Sequence, residues 1–200
     1  MTAHAAELRR QQSRAEVRRV ILDAAESILV EVGYEGFSVR KLVDRCGYSA
    51  PTLYHHFGDK TGLVDALLEE RLGRLVVELR AVPDSDDPVE KMRALVRAFA
   101  DFALSSPTFY WLLTQPRGED AVPVPSGEEA NAILVAPLDE LAAAGMLAHG
   151  DVELVRQSIW VQVHGLVSLP PVRPDVEWHT DLLDQTIEAL IRGWIRTDAS

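Results

Sequence analysis

Thr52, Tyr54 and His55 place a hydroxyl, a phenol and an imidazole close together, and Arg40, Lys41 and Lys60 set cations on either side of them. Hydroxyl and imidazole groups can meet base edges, while cations and phenols hold phosphate oxygens, so the set points to a nucleic-acid duplex. Such groups work together only on one short, rigid face. The run Ser38 to Lys60 has the signals for it. Ser38 can cap a first short helix through its hydroxyl, and Leu42, Val43 and Cys46 form an apolar face along it. Gly47 follows where the chain must turn left-handed without a Cβ penalty. Ser49 can cap a second helix, with Ala50 and Pro51 in its first turn, where a missing N–H costs little. Leu53 and Phe57, one turn apart, should face inward, leaving Pro51, Thr52, Tyr54 and His55 outside. The unit reads as helix-turn-helix.

These residues also carry a family resemblance. Gly47-Tyr48-Ser49-Ala50-Pro51-Thr52-Leu53-Tyr54-His55-His56-Phe57-Gly58-Asp59-Lys60 resembles the recognition-helix signature of TetR-type transcriptional regulators, and Gly33-Tyr34-Glu35-Gly36-Phe37 looks like the loop between that family's first two helices. The likeness covers about the first third of the chain. Cys46 departs from the Ala more usual there, and His55 occupies a variable position that bears on sequence preference. The resemblance implies a homodimer on a double-stranded DNA operator, released by a small-molecule effector. On this reading Thr52 and His55 lie nearest base edges. Ser38, Arg40, Lys41, Tyr54 and Lys60 hold phosphates, with Ser49, Ala50 and Pro51 at the same surface.

Other elements must position that face. Val17, Ile21, Ala24, Ala25, Ile28 and Val32 recur at helical spacing, so a long first helix is expected from about Arg14 to Val32, ended by Gly33. Another should run from Asp59 or Lys60 to about Arg80, with Leu63, Leu67, Leu72, Leu75 and Leu79 as its stripe and Pro83 beyond it. A cation is disfavoured at a helix N-terminus, and a phosphate partner would explain Lys60 there. The expected organisation is a head at 1–60, a connecting helix at 60–80 and a body at 84–200, separated by Asp84-Ser85-Asp86-Asp87-Pro88.

The body pattern stays helical. Helices are expected at Val89–Ser105, Pro107–Gln115, Glu128–Ala144 with Pro137 as a kink, Asp151–Leu169, and about Trp178–Arg196. A loop at Pro116–Gly127 and a break at Pro170–Pro174 separate some of them. The fold class is therefore all-α. Trp160, His164 and Gly165 are similar to the Trp-His-Gly signature of a TetR subclass. Trp160 and His164 could line an effector pocket, with Met92, Phe99, Phe102, Tyr110 and Trp111; equally, His164 could be a core histidine satisfied by neighbours. In the family the last two helices form a four-helix dimer interface, which here implies Leu182, Leu183, Ile187, Leu190, Ile191 and Trp194.

Charge orients the molecule. Residues 1–60 carry 9 Lys+Arg against 8 Asp+Glu, and residues 61–200 carry 11 against 23, giving the net −11. Phosphate repels an acidic body, so only the head can face a duplex, with Arg9, Arg10, Arg14, Arg18 and Arg19 as a basic lead. Catalysis finds no support. His55 and His56 diverge by about 100° on a helix and cannot share a metal as an i, i+4 pair would. No phosphate cradle or hydrolase elbow occurs, and no cofactor is implied. A single cysteine, no secretory leader and no long apolar run suggest a reducing, cytoplasmic setting without a membrane span. A ligand-independent DNA architectural protein and an all-helical protein-interaction module remain the alternatives, and activation remains open beside repression.

Overall fold

The computed structural model describes residues 2–114 and 123–196, which form α-helices and their connections with one isolated antiparallel bridge between Leu147 and Ile195. In chain order the helices are α1 (Thr2–Gly36), α2 (Val39–Cys46), α3 (Ala50–Phe57), α4 (Lys60–Ala81), α5 (Pro88–Ser105), α6 (Pro107–Leu113), α7 (Pro125–Ala143), α8 (Val152–Val172) and α9 (Leu182–Trp194). The all-α class holds among the described residues. The chain divides into two compact units, Met1–Glu70 and Arg71–Ser200. The side chains of Arg9, Arg10 and Trp111 lie outside the described residues, as does 116–122 of the expected loop.

In the first unit one face of α1 buries Ile21, Leu22, Ala25, Ile28 and Leu29. Leu42 of α2, Leu53 and Phe57 of α3, and Leu63, Val64, Leu67 and Leu68 of α4 are buried with them. Helix α1 starts well before Arg14, since residues 2–13 contain good helix formers and no Gly or Pro to stop propagation. Its helical geometry breaks at Gly33, at φ 69°. Val32 is 42% exposed, so it does not belong to the packed face; Leu22 and Leu29 fill that role.

In the second unit α5 buries Val89, Met92, Leu95, Val96, Phe99, Ala100 and Ala103, and Asp87 caps it by accepting from Val89 N–H at 2.9 Å. Ion pairs tie α5 to α9. Arg93 Nε donates to Glu188 Oε1 at 2.6 Å and Nη2 to Oε2 at 3.3 Å, and Arg97 pairs with Asp184.

Three boundaries of the second unit also differ from expectation. Helix α7 begins at Pro125, inside the expected loop, because proline at a first helical turn supplies the right φ and loses no needed N–H. Helix α8 continues through Pro170 and Pro171 to Val172. Two prolines in a last turn cost two hydrogen bonds, but their fixed φ is compatible with a helix, and Arg173 N–H still reaches Leu169 O at 2.9 Å. The last helix starts at Leu182, not Trp178. Local bonds hold the preceding chain in turns: Arg173 binds the Asp175 carboxylate at 2.8 and 2.7 Å, Trp178 Nε1 donates to Arg173 O at 3.1 Å, and Asp181 N–H donates to His179 Nδ1 at 3.1 Å.

Candidate functional site

The α2–α3 unit is built by its caps. Ser38 Oγ accepts from Lys41 N–H at 3.3 Å, and Ser49 Oγ accepts from Thr52 N–H at 3.4 Å. Gly47, at φ 74°, closes α2 and donates its N–H to Val43 O at 3.0 Å. The caps fix where α3 starts, and burial of Leu53 and Phe57 fixes its rotation. The opposite side then faces solvent: Tyr54 is 49% exposed, Pro51 and His55 are exposed, and Ala50 and Thr52 are half-buried. Thr52 Oγ1 lies 2.9 Å from Ser49 Oγ, which orients its hydroxyl.

The flanking cations differ in freedom. Arg40 is exposed. Lys41 Nζ donates to Gly36 O at 2.9 Å. Lys60 Nζ donates to Phe37 O at 3.5 Å and stands 5.6 Å from the centre of the Phe37 ring. Lys60 therefore has a packing role inside the head, which the sequence did not suggest.

Several positioning residues escaped the sequence reading. Arg45 grips the Glu31 carboxylate at 2.8 and 2.7 Å and Ser27 Oγ at 2.8 Å, bracing α2 on α1. Its hydrogen bond to Glu31 holds that carboxyl below its usual range. Arg18, expected only in the basic lead, stands over the Phe57 ring at 4.9 Å. Burial lowers the pKa of His56, and Arg14, His55 and Arg18 add to the effect. Asp59 caps α4 by accepting from Gly62 N–H at 2.8 Å, and a Cβ at Gly62 would come within 2.0 Å of Phe57 O. A capping Asp three positions before a Gly was a readable signal for the first; the close approach at Gly62 was not.

The second unit contains a cavity of about 620 Å³ between α4, α5, α7 and α8. Leu72, Leu75, Val96, Leu134, Val135 and Leu138 are among its apolar lining residues. Of the residues expected there, Phe99, Trp160 and His164 line it. Met92 is packed into the core instead, and Phe102 sits at a separate polar depression with Glu78 and Asp101. Tyr110 acts behind the wall: its Oη lies 2.7 Å from His164 Nδ1 and 3.2 Å from His164 O. The His164 ring packs on Trp160, Phe99 and Tyr110, at centroid separations of 4.4, 5.3 and 5.5 Å. Burial brings the His164 pKa down to about 4, so the imidazole is neutral at neutral pH. Burial also raises the Tyr110 hydroxyl, against a lowering by Ser168.

Residues assigned to a dimer interface divide differently from expectation. Ile187, Leu190 and Ile191 are buried within their own unit, because that side of α9 is the one packed on the body core. Leu182, Leu183 and Trp194 are half-buried. The open apolar surface lies on α8, where Leu154, Val161, Leu169 and Val172 follow one stripe and Val161 is 60% exposed. A Cβ at Gly165 would meet nothing within 4 Å among the described residues.

Among the described residues no cluster of three or more His, Cys, Asp and Glu could hold a metal ion, and no helix is long and apolar enough to cross a membrane. The described residues thus hold a capped helix-turn-helix in the first unit and an apolar cavity in the second. The profile described as "Bacterial regulatory proteins, tetR family" matches residues 21–67, and "Tetracyclin repressor-like, C-terminal domain" matches residues 92–193. The chain belongs to the TetR family of bacterial regulatory proteins.

It is similar to the HTH-type transcriptional activator FasR of Mycolicibacterium smegmatis, 38% identical over 90 residues, which are 44% of this chain and 41% of the relative. It is also similar to the tetracycline repressor protein class A from transposon 1721 of Escherichia coli, 42% identical over 67 residues, 34% of this chain and 30% of the relative. The matched segments thus span less than half the length of these relatives. The crystal structure of the transcriptional regulator FadR from Bacillus subtilis in complex with stearoyl-CoA shares the fold, with a TM-score of 0.67 and 20% identity over 88% of this chain and 98% of that one.

Proposed function

We propose that this chain is a one-component transcriptional regulator, a repressor that binds a near-palindromic operator as a homodimer and leaves it when a small molecule fills the body cavity. The observation that carries the reading is the capped α3, anchored by Leu53 and Phe57 and presenting Thr52, Tyr54 and His55 outward. A helix held this way can enter a major groove, and a two-fold pair of them reads half-sites about 34–36 Å apart or a multiple of that. Thr52 and His55 meet base edges; Ser38, Arg40, Lys41, Tyr54 and Lys60 hold the backbone, beside Ser49, Ala50 and Pro51.

The dimer is assigned to α8 and α9. The exposed stripe Leu154, Val161, Leu169 and Val172 supports it, and on α9 the outward small side is Leu182, Thr186, Ala189 and Gly193 rather than Ile187, Leu190 and Ile191. Membership of the Trp-His-Gly subclass belongs to the same proposal and is supported by the packing of Trp160 on His164. Regulation uses α4, which supplies Leu72 and Leu75 to the cavity wall and Lys60 to the head. A ligand shifts the equilibrium only by its differential affinity for the two states, and a change from 99:1 to 1:99 takes about 5.5 kcal/mol.

The test is a mobility-shift titration with the chain's own promoter DNA, using Thr52→Val, which keeps the shape and removes the hydroxyl. Reduced preference for the operator with unchanged nonspecific affinity is the expected result. Equal binding to operator and unrelated duplex by the unaltered protein would defeat the proposal.

A further inference from the structure

Trp160 lines the cavity and is nevertheless 58% exposed. Aromatic side chains contribute most when covered, so an indole this open is unpartnered apolar surface. One side of it is backed. The His164 ring lies 4.4 Å away, centre to centre, tilted by 35°. Tyr110 Oη, 2.7 Å from His164 Nδ1, pins that imidazole whichever of the two atoms holds the shared proton. Phe99, another lining residue, packs on the same imidazole at 5.3 Å. Among the described residues no further ring or cation stacks on Trp160. The open stripe of α8 points elsewhere: Leu154, Val161 and Val172 lie about 100–120° round the helix from Trp160, at about 3.6 residues per turn. A second copy seated on that stripe therefore leaves the cavity side of the indole uncovered.

We propose that the cavity takes a ligand with a flat aromatic ring system, for which the free face of Trp160 is the stacking platform. The inference rests on the effector role of the cavity and names the class of its ligand. Saturated rings and alkyl chains gain from the aliphatic wall at Leu134, Val135 and Leu138 by burial, which depends on apolar area and not on flatness. A planar ring gains that and also the attraction between stacked π systems, worth about 2–12-fold in affinity beyond area. The platform is already held by His164, so little ordering is needed when a ring arrives. The polar lining groups do not oppose this choice. Thr114, Asn131 and Gln157 carry groups that both donate and accept, so they do not sort ligands by flatness. Glu153 and Arg156 pair with each other at 2.7 Å.

Isothermal titration calorimetry on the full chain tests this with three alcohols of one carbon count: 2-naphthol, decahydro-2-naphthol and 1-decanol. Each has a single hydroxyl that donates and accepts, so the polar end is closely matched while flatness and aromaticity vary. 2-Naphthol should bind about 2–12-fold more tightly than decahydro-2-naphthol. Trp160→Leu keeps an apolar wall and should bring that ratio to about one. Trp160→Phe retains a smaller ring and should keep part of the preference.

A ratio of one or below in the unaltered protein would overturn the proposal. So would a preference for 2-naphthol that survives undiminished in Trp160→Leu; a halved sedimentation mass of that variant would then place the indole in a seam between two copies. In either case, binding of 1-decanol with release of a labelled operator would leave the effector role of the cavity standing. Binding of none of the three would overturn both, whereas operator recognition by the head is read separately in the mobility shift.

Discussion

Replacing Lys60 with methionine separates its contact with Phe37 from the phosphate role proposed for it. Its Nζ donates to Phe37 O at a long 3.5 Å and lies 5.6 Å from the Phe37 ring centre, near the outer limit for a cation–π contact. Methionine keeps much of the stem, so the packing part of the loss should be small, about 0.5–1 kcal/mol. The phosphate part has a different signature. Each neutralised phosphate contributes about 0.9 to the slope of log K against log salt, and a symmetric pair presents Lys60 twice, so the slope should flatten by about 1.8. Between 50 and 200 mM salt, a fourfold change, that amounts to about a twelvefold smaller fall in affinity than in the unaltered protein. The assay is fluorescence anisotropy of a labelled operator across that salt range, with Thr52→Ala as a control that should leave the slope alone. Loss of affinity by the same factor at every salt concentration would show that Lys60 only buttresses Phe37, and the phosphate assignment would fall.

Other perturbations reach the remaining parts. Leu42, fully buried in α2, should lose about 2.7–5 kcal/mol on substitution by alanine, measured by urea unfolding; a loss under about 1 kcal/mol would contradict the tight packing of the head. His164 binds protons less readily in the folded protein, with its pKa at about 4 against an ordinary 6.5, so the unfolded chain takes up more protons between those values. Stability from this group is therefore complete above pH 6.5 and is lost as pH falls toward 4; His164→Gln should flatten that part of a pH–melting profile, and an unchanged profile would refute the burial argument. Val161→Glu puts a charge into the open stripe of α8 and should turn the proposed dimer into monomers in sedimentation equilibrium, while an unchanged mass would move the proposed interface elsewhere.

The head was the legible part because its signals are local. Ser38, Gly47, Ser49 and Pro51 act on backbone groups within four residues, so their effects can be read without knowing what lies across the fold, and each cap forms as its residue type requires. The stripe of leucines on α4 was equally visible, but Leu72 and Leu75 look the same in sequence whether they fill a core or border a cavity. Aromatic residues at helical spacing share that ambiguity: Phe99 and His164 reach open space while Met92 is packed tight. Periodicity reports which side of a helix is apolar, not whether a neighbour, a void or a second subunit covers it.

Residue order alone determined the all-helical class, the helix-turn-helix and the outward set Thr52, Tyr54 and His55, since capping chemistry and a 3.6-residue period suffice for those. Tertiary structure decided the rest. It turned Ile187, Leu190 and Ile191 into the body and left Val161 and Gly165 open, and it brought Tyr110 against His164 across 54 positions of chain. It also gave Lys60 the Phe37 carbonyl as a neighbour. These outcomes depend on which helices meet, and the free energy of that choice comes from side chains far apart in sequence.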